Sequence, residues 1–539
     1  MTRGSVPAVR GAPPGEAPSG GRSRIAVRTL DVIAVVTLAG AVTAAAIGRG
    51  RPEHFVVATA LVVGARAWLG PLNLGFGARS PVRSVLIGVL VYVAGMGFIV
   101  LTRHHALRTH ALDLGQYGQT IWSIAHGDGP TSTVIPEYVT TVRMNAFGDH
   151  FSPIFYAMAP FVRLFPHVSV PLLIQTLALA LGAVAVFAHA RRRLPEPAAA
   201  GLATIYLLNP SVHGINVRDI HPAAFVIPAI LAAAAAHDAR RFGWCALFVV
   251  AAAACREDAA IAVVGFAIWL AFARRRVLGG ALVAIAGVLL LALDLTVLMP
   301  YFRGGTPYHH LYRYTHLGTD LGEILLTIGF RPWRWLAVPF TVPKLVYALA
   351  MLAPLGFLPL LAPRTLLAAA PALAMNLMSV DPVLINDRAQ YQSFVLPFLV
   401  LAAIDGAAAL RARATGRRRP AVGHPGRGPA LALGAAACFA VILTARTFND
   451  FSVRHWRLAE SQRAAHALMG RVPRDAAVSA NERLVPQLCM RRDVFVYPRG
   501  LGISGYVVEL ADVIARQPAS GYRETARGGG WVLLERAGG

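Results

Sequence analysis

The feature that most limits how this chain can fold is the recurrence of long apolar runs, such as SVLIGVLVYVAGMGFIVL over 84–101. At a rise of ~1.5 Å per residue, such a run crosses ~30 Å of hydrocarbon as a helix. Further candidate spans are 31–48, 54–70, 168–190, 198–211, 220–237, 242–255, 259–273, 277–299, 343–361, 365–379, 392–410 and 428–446. The expected fold class is an α-helical polytopic membrane protein with about 13 transmembrane helices. A chain that is 56% hydrophobic and 14% charged fits that class.

Net charge is +24, which in a soluble protein would point to nucleic acid. Here the arginines fall in short loops at 71–83, 191–197, 238–241, 274–276, Arg364 and 411–427, which share one side if the N-terminus is cytoplasmic. They set orientation, and no nucleic-acid partner is expected. The opposite side receives 102–167, 212–219, 256–258, 300–342, 380–391 and everything after 447. Those segments hold nearly all the acidic, His and Tyr residues suited to chemistry.

The chain divides into a disordered basic cytoplasmic tail (1–29), an N-terminal additional transmembrane hairpin (30–83), a membrane domain (84–446) with a large first loop at 102–167, and a last segment (447–539). In that segment, runs such as AAVSA (476–480), VFVYP (494–498) and WVLLER (531–536) read as a small extracytoplasmic α/β domain. Cys245, Cys255, Cys438 and Cys489 are too scattered for a metal site or a disulfide framework.

The first loop carries Asp113, Asp128, Asp149 and His150. Asp113, Gln116, Gln119, Thr120 and Ser123 share one helical side, and Leu114, Tyr117, Ile121 and Trp122 fill the other, the pattern of a helix lying on a membrane surface. Asp113 there is placed to deprotonate a hydroxyl or bind a metal, or simply to cap the helix. FGDHFSP (147–153) sets Asp149 and His150 at a membrane boundary, as a functional pair or as an anchor. The CREDAA turn (255–260) puts Arg256, Glu257 and Asp258 inside an apolar stretch, where three charges need water or partners. HGINVRDIHP (213–222) supplies His221. YFRGGTPYHHLYRYTHLGTDLGEI (301–324) mixes Arg303 and Arg313 with tyrosines and histidines: forked phosphate donors and flat sugar-stacking surfaces, or an aromatic interface belt. SVDPVLINDRAQYQSFVLP (379–397) brings Asp381, Asp387 and Tyr391 to the same side. No Gly-rich phosphate loop or hydrolase motif accompanies them.

DLGQYGQTIWSIAHGDGP, FGDHFSPIFYAMAPFVRLFP, the HP of 221–222, CREDAAI, RYTHLGTDLGEI and VPRDAAVSANERLVPQLCMRRDVFVYPRG together resemble the multi-pass membrane proteins of domain-of-unknown-function family 2079, over roughly 84–539. That family's pattern implies a His beside the Tyr near 390–392, where this chain has Gln390, Tyr391 and Gln392. The family is in turn similar in layout to the glycosyltransferase C superfamily. The resemblance implies that Asp113 is the loop carboxylate, that Asp149 and His150 form the element before the next span, and that Glu257 and Asp258 form a boundary acidic site. It implies transfer of a sugar from a polyprenyl-phosphate donor to an extracytoplasmic glycan or protein acceptor at the cell (plasma) membrane. Asp113, Asp149 and His150 are then the expected catalytic and metal-binding residues, with Mg2+ or Mn2+ as candidate ions. Arg256, Glu257, Asp258, Arg313 and His221 are the expected substrate-binding residues. The alternative is a non-catalytic protein, either a transporter of lipid-linked glycans or a cell-envelope scaffold; a transporter would place its charges at mid-bilayer instead of on one face.

Overall fold

The computed structural model describes residues 20–47, 80–134, 143–306, 308–416 and 457–538, with a few positions between 54 and 66. Helices α1 (Gly20–Ile47) and α2 (Pro81–His105) are followed by a short α3 (Gln116–Ala125) and α4 (Phe155–Leu164) in the first loop. Next come α5 (Ser169–Ala190), α6 (Glu196–Leu207), α7 (Pro210–Val217), α8 (Val226–Asp238), α9 (Phe242–Ala253), α10 (Ala259–Ile268) and α11 (Val277–Leu293). The later helices are α12 (Leu321–Phe330), α13 (Val342–Leu352), α14 (Ala370–Met378) and α15 (Leu396–Gly416). On α11, Leu278, Leu282, Ile285 and Leu289 recur at helical spacing, and each is at least 57% exposed. Such a stripe fits a surface that faces lipid.

Four helices are long and apolar enough to cross a membrane, and a fifth if the bent pair Pro332–Phe340 and Val342–Leu355 counts as one broken span. About thirteen spans are therefore not confirmed among the described residues, which also hold shorter apolar helices at Pro222–Asp238, Phe242–Ala253 and Ala259–Ala273. Expected spans 428–446 and most of 54–70 lie outside them. Others break into short pieces for local reasons. Asn209-Pro210 divides 198–211 into α6 and α7, because proline has no N–H to continue the ladder. Over 343–361 the helix ends where Gly356 and Phe357 adopt φ of 59° and 55°; that left-handed turn cannot continue a right-handed helix.

The helix ends segregate chemically. One end gathers the turns at 219–226, 254–258 and 391–396, where the Ile154 amide bonds the Ala254 carbonyl at 2.8 Å. At the other end Asp238 contacts Arg193 and Arg274, while Asp405 accepts from Arg193 at 2.9 Å and from Thr365 at 2.6 Å. Each charge in that network has an opposite partner, so none is left to bear the desolvation penalty alone.

In the first loop, β1 (Thr131–Ser132) pairs antiparallel with β2 (Met144–Asn145). After the long helices, α16 (Glu460–Met469) leads into a five-stranded sheet of β3 (Val478–Ala480), β4 (Val494–Val496), β5 (Tyr506–Leu510), β6 (Tyr522–Gly528) and β7 (Trp531–Arg536). Its order is β4-β3-β5-β7-β6, parallel around β3 and antiparallel beyond β5. This region does not stand apart. Leu114, Tyr117 and Ile121 of the loop share one apolar core with Leu484, Val485, Leu488 and Cys489.

That shared core corrects the expectation of a helix lying on the membrane surface. The polar side of α3 is buried: the Gln119 amide donates to Thr133 Oγ1 at 2.9 Å and to the Arg492 carbonyl at 2.8 Å, and its oxygen accepts from Ser132. A β-carbon on Gly115 or Gly118 would lie 2.9 Å from Val485 Cγ1 or 2.7 Å from Cys489 Sγ, so the missing side chains let the two segments touch. Gln119→Leu leaves buried partners unsatisfied, and we expect a loss of about 1–3 kcal/mol. Thermal unfolding should register it, together with faster protease release of the sheet region.

Candidate functional site

Glu257 occupies the turn between α9 and α10, where its side chain is 1% exposed. Burying a carboxylate is costly unless several donors satisfy it. Two segments supply them: Oε1 lies 2.8 Å from His150 Nδ1 and accepts from the Tyr308 hydroxyl at 3.2 Å, and Oε2 accepts from the Phe151 amide at 3.2 Å. Burial would push Glu257 up, but His150 and Arg256 hold it below the ordinary glutamate value. Burial pulls His150 down and is outweighed by Glu257 and Asp149, so its pKa lies above the ordinary value. The two form an ion pair that anchors the first loop to the helix turn.

Asp149 is buried, accepts from the Gln116 side chain at 3.0 Å, and lies 4.0 Å from Arg303 Nη2. Arg303 also donates to the Gly148 carbonyl at 2.8 Å, clamping the FGDH segment. The His310 ring stacks on His150 with centroids 4.9 Å apart and planes 7° from parallel. Asp149, His150 and His310 can each offer one ligand atom, all within 4.8 Å of one another. With Nδ1 of His150 facing Glu257, Nε2 would be the ring nitrogen open to an ion once an ion displaces its proton, the carboxylate–histidine arrangement of many metal sites. Two imidazoles and one carboxylate suit Mn2+ or Zn2+ better than Mg2+, which prefers oxygen ligands and retained water. His310 stands in this group and Asp113 does not.

Arg256 and Asp258 lie on either side of Glu257. The Arg256 guanidinium is committed to Asp258, with Nε 2.7 Å from Oδ1, and it packs over the rings of Tyr391 and Phe394. Arg256 therefore shapes the wall and does not reach into the adjoining cavity. Arg313 does reach it. Its Nε donates to Asp381 at 3.2 Å and its Nη2 to the Tyr391 hydroxyl at 2.7 Å, and the residue lines the cavity. The Tyr391 that stands between Gln390 and Gln392 thus orients Arg313.

The cavity holds about 360 Å³. Glu257, Asp258, Tyr308, His310, Arg313 and Tyr391 form its polar end. The remainder is walled by aliphatic side chains, including Ile261 and Val264 of α10, Val288 and Leu291 of α11, Ile324 and Ile328 of α12, and Met375 of α14.

Asp113 and His221 sit outside this lining. Asp113 is 42% exposed and its Oδ1 lies 3.9 Å from His221 Nδ1. The His221 turn is held by Gln175 of α5, whose oxygen accepts from the His221 amide and whose nitrogen donates to the Asp219 carbonyl, both at 2.8 Å. Tyr117 links the two groups: Asp149, Arg256, Asp113 and Glu257 all act on its hydroxyl, which burial pushes well above the ordinary value. The residues expected from sequence thus form two neighbouring clusters around Tyr117, Asp149/His150/Glu257 and Asp113/His221, with Arg313 across the cavity. Sequence reasoning did not single out His310 or Tyr308, and it gave Asp381 no role in fixing Arg313. The histidine and tyrosine crowding of 301–324 was their signal.

Residues 103–534 match the family described as predicted membrane protein (DUF2079). No curated protein matches the chain. Among solved structures, ArnT from Cupriavidus metallidurans bound to undecaprenyl phosphate is similar at 14% identity with a TM-score of 0.48, covering 84% of this chain and 97% of that one. The same protein in its apo state gives 12% identity and 0.47, covering 84% and 98%. Likenesses of that size fix no activity for this chain.

Asp219 gives the site a pH signature. Its side chain accepts from the His110 amide at 2.9 Å, and burial with the nearby Asp113 pushes its carboxyl up to about 8. A raised carboxyl contributes stability that is complete below its ordinary 3.8 and lost as pH climbs to about 8. Asp219→Asn keeps the acceptor and cannot ionise, so its melting temperature should gain on wild type steadily across that range; a constant difference would contradict the assignment.

Proposed function

We propose that this chain, which belongs to the DUF2079 family of predicted membrane proteins, transfers a sugar from a polyprenyl-phosphate donor to an acceptor hydroxyl at the outer face of the cell membrane. The observation that carries the reading is the cavity's lining, largely aliphatic but with Arg313, Tyr308, Tyr391 and His310 grouped in it. That lining matches a molecule with an isoprenoid tail and a phosphate-linked sugar. The arginine clusters at the opposite helix ends favour a cytoplasmic location there, so the cavity's polar end faces outward. Nucleotide sugars are made on the other side, which leaves a lipid-linked donor.

In this reading the Arg313 guanidinium faces the donor phosphate and stabilises the charge that grows on it as the C1–O bond breaks. Tyr308 and Tyr391 offer flat surfaces to the sugar. The acceptor oxygen forms the new bond to C1, its proton passes to the Asp113 carboxylate, and the electron pair of the broken bond leaves on phosphate. His221 Nδ1 lies 3.9 Å from the Asp113 carboxylate and helps to place it. Asp149, His150 and His310 would hold a divalent ion, whose chemistry is to neutralise phosphate charge. Glu257 orients His150, and Arg256 with Asp258 positions Tyr391.

Purified protein supplied with polyprenyl-phosphate sugars and candidate glycan or peptide acceptors tests the reading. Asp113→Asn should lower turnover by about 10²–10⁴-fold, and Arg313→Ala should lower it with lipid still bound. Chelation should abolish transfer, with Mn2+ restoring more than Mg2+. Bound donor lipid with no transfer to any acceptor would favour a non-catalytic lipid-binding protein. Unchanged turnover in Asp113→Asn would remove that residue from the chemistry.

A further inference from the structure

A second cavity, of about 830 Å³, opens along α5, α8 and α9. Its floor is α8, where Ala229, Ala232 and Ala236 leave a channel, and its rims are α5 and α9, the latter carrying Trp244 and Phe248. Its wall runs from Ala178 to Arg191 on α5, ~20 Å at helical rise and comparable to one leaflet of hydrocarbon. One end is closed by Ile154, Phe225 and Pro228. The other end is ringed by Arg191, Arg192 and Arg241.

Those three arginines differ from their neighbours. Arg193 and Arg274 are neutralised by Asp238 and Asp405. Arg191, Arg192 and Arg241 are exposed and have no carboxylate partner among the described residues. Arg191 rests only over the Phe187 ring, 5.7 Å from its centroid. Three unneutralised guanidinium groups at the mouth of an apolar channel one leaflet long call for an anion attached to a hydrocarbon chain.

We infer that this channel is a binding site for an anionic phospholipid, with its phosphate on Arg191, Arg192 and Arg241 and an acyl chain between α5 and α9 over the alanines of α8. It lies at the arginine-bearing helix ends, away from the Glu257 cavity, and does not depend on the activity proposed above. The lipid completes the helix packing where small side chains leave α8 uncovered.

The test is lipid retention by the full chain in neutral detergent, read by native mass spectrometry with phosphatidylglycerol and phosphatidylcholine of matched chains. Wild type should hold phosphatidylglycerol at least about tenfold better, in line with the attraction of several arginines. The combined variant R191Q/R192Q/R241Q should lose that preference while eluting as wild type does. Ala232→Phe, which fills the channel, should release both lipids. Equal retention of the two lipids by wild type would overturn the site, as would a preference that survives in the glutamine variant. Displacement of phosphatidylglycerol by millimolar glycerol 3-phosphate would also overturn it, because the chain would then contribute nothing. Should a variant aggregate, quenching of Trp244 by brominated-chain phosphatidylglycerol over brominated phosphatidylcholine, with Trp244→Phe as control, reads the same contrast in wild type; equal quenching would contradict the site.

Discussion

A carboxylate removed from water can be held only by groups that replace its hydration, and the polar end of this protein's cavity is assembled around that requirement. Glu257 has its donors in His150 and Phe151 of the first loop and Tyr308 of a segment some fifty residues downstream. Satisfying one buried charge thereby fixes the relative positions of three otherwise separate stretches. The same contacts set His150 beside Asp149 and His310, and Tyr308 at the rim of the cavity. Glu257 therefore acts through others, as the positioning residue of the site.

The first loop is braced from a second side by the C-terminal sheet region. Their joint core brings Leu114 and Tyr117 against Val485 and Cys489, and the close approach at Gly115 and Gly118 leaves no room for larger residues. Gln116, on the next turn of that loop, holds Asp149 at 3.0 Å. A region more than three hundred residues away in sequence thus takes part in fixing a carboxylate of the site, a role for the sheet that needs no ligand of its own.

Much of this was legible in the residue order, for identifiable reasons. Three charges at 256–258 inside an apolar stretch had to be partnered, and they are. Arginine clustering foretold which helix ends stand together, because hydration cost sorts charge by side. The covering of α3 was not legible: a helical period reveals a polar face but not whether water, headgroups or protein meets it, and here the Arg491–Arg492 backbone does. Helix length was not legible where proline and left-handed turns cut apolar runs that hydropathy reads as continuous. His310 was hidden because its partners, Asp149 and His150, lie about 160 residues earlier, and contact across that distance leaves no local pattern.

The central claim is that the polar end of the Glu257 cavity receives the phosphate of a polyprenyl lipid while its aliphatic walls take the chain. Photo-crosslinking addresses it directly, using a polyprenyl phosphate with a diazirine on an early isoprene unit and peptide mapping of the adduct. The account predicts labelling within 261–264, 288–295 and 371–378, suppressed by Val264→Trp. Labelling confined to the channel between α5 and α9, or spread evenly over the lipid-facing surface, would contradict it.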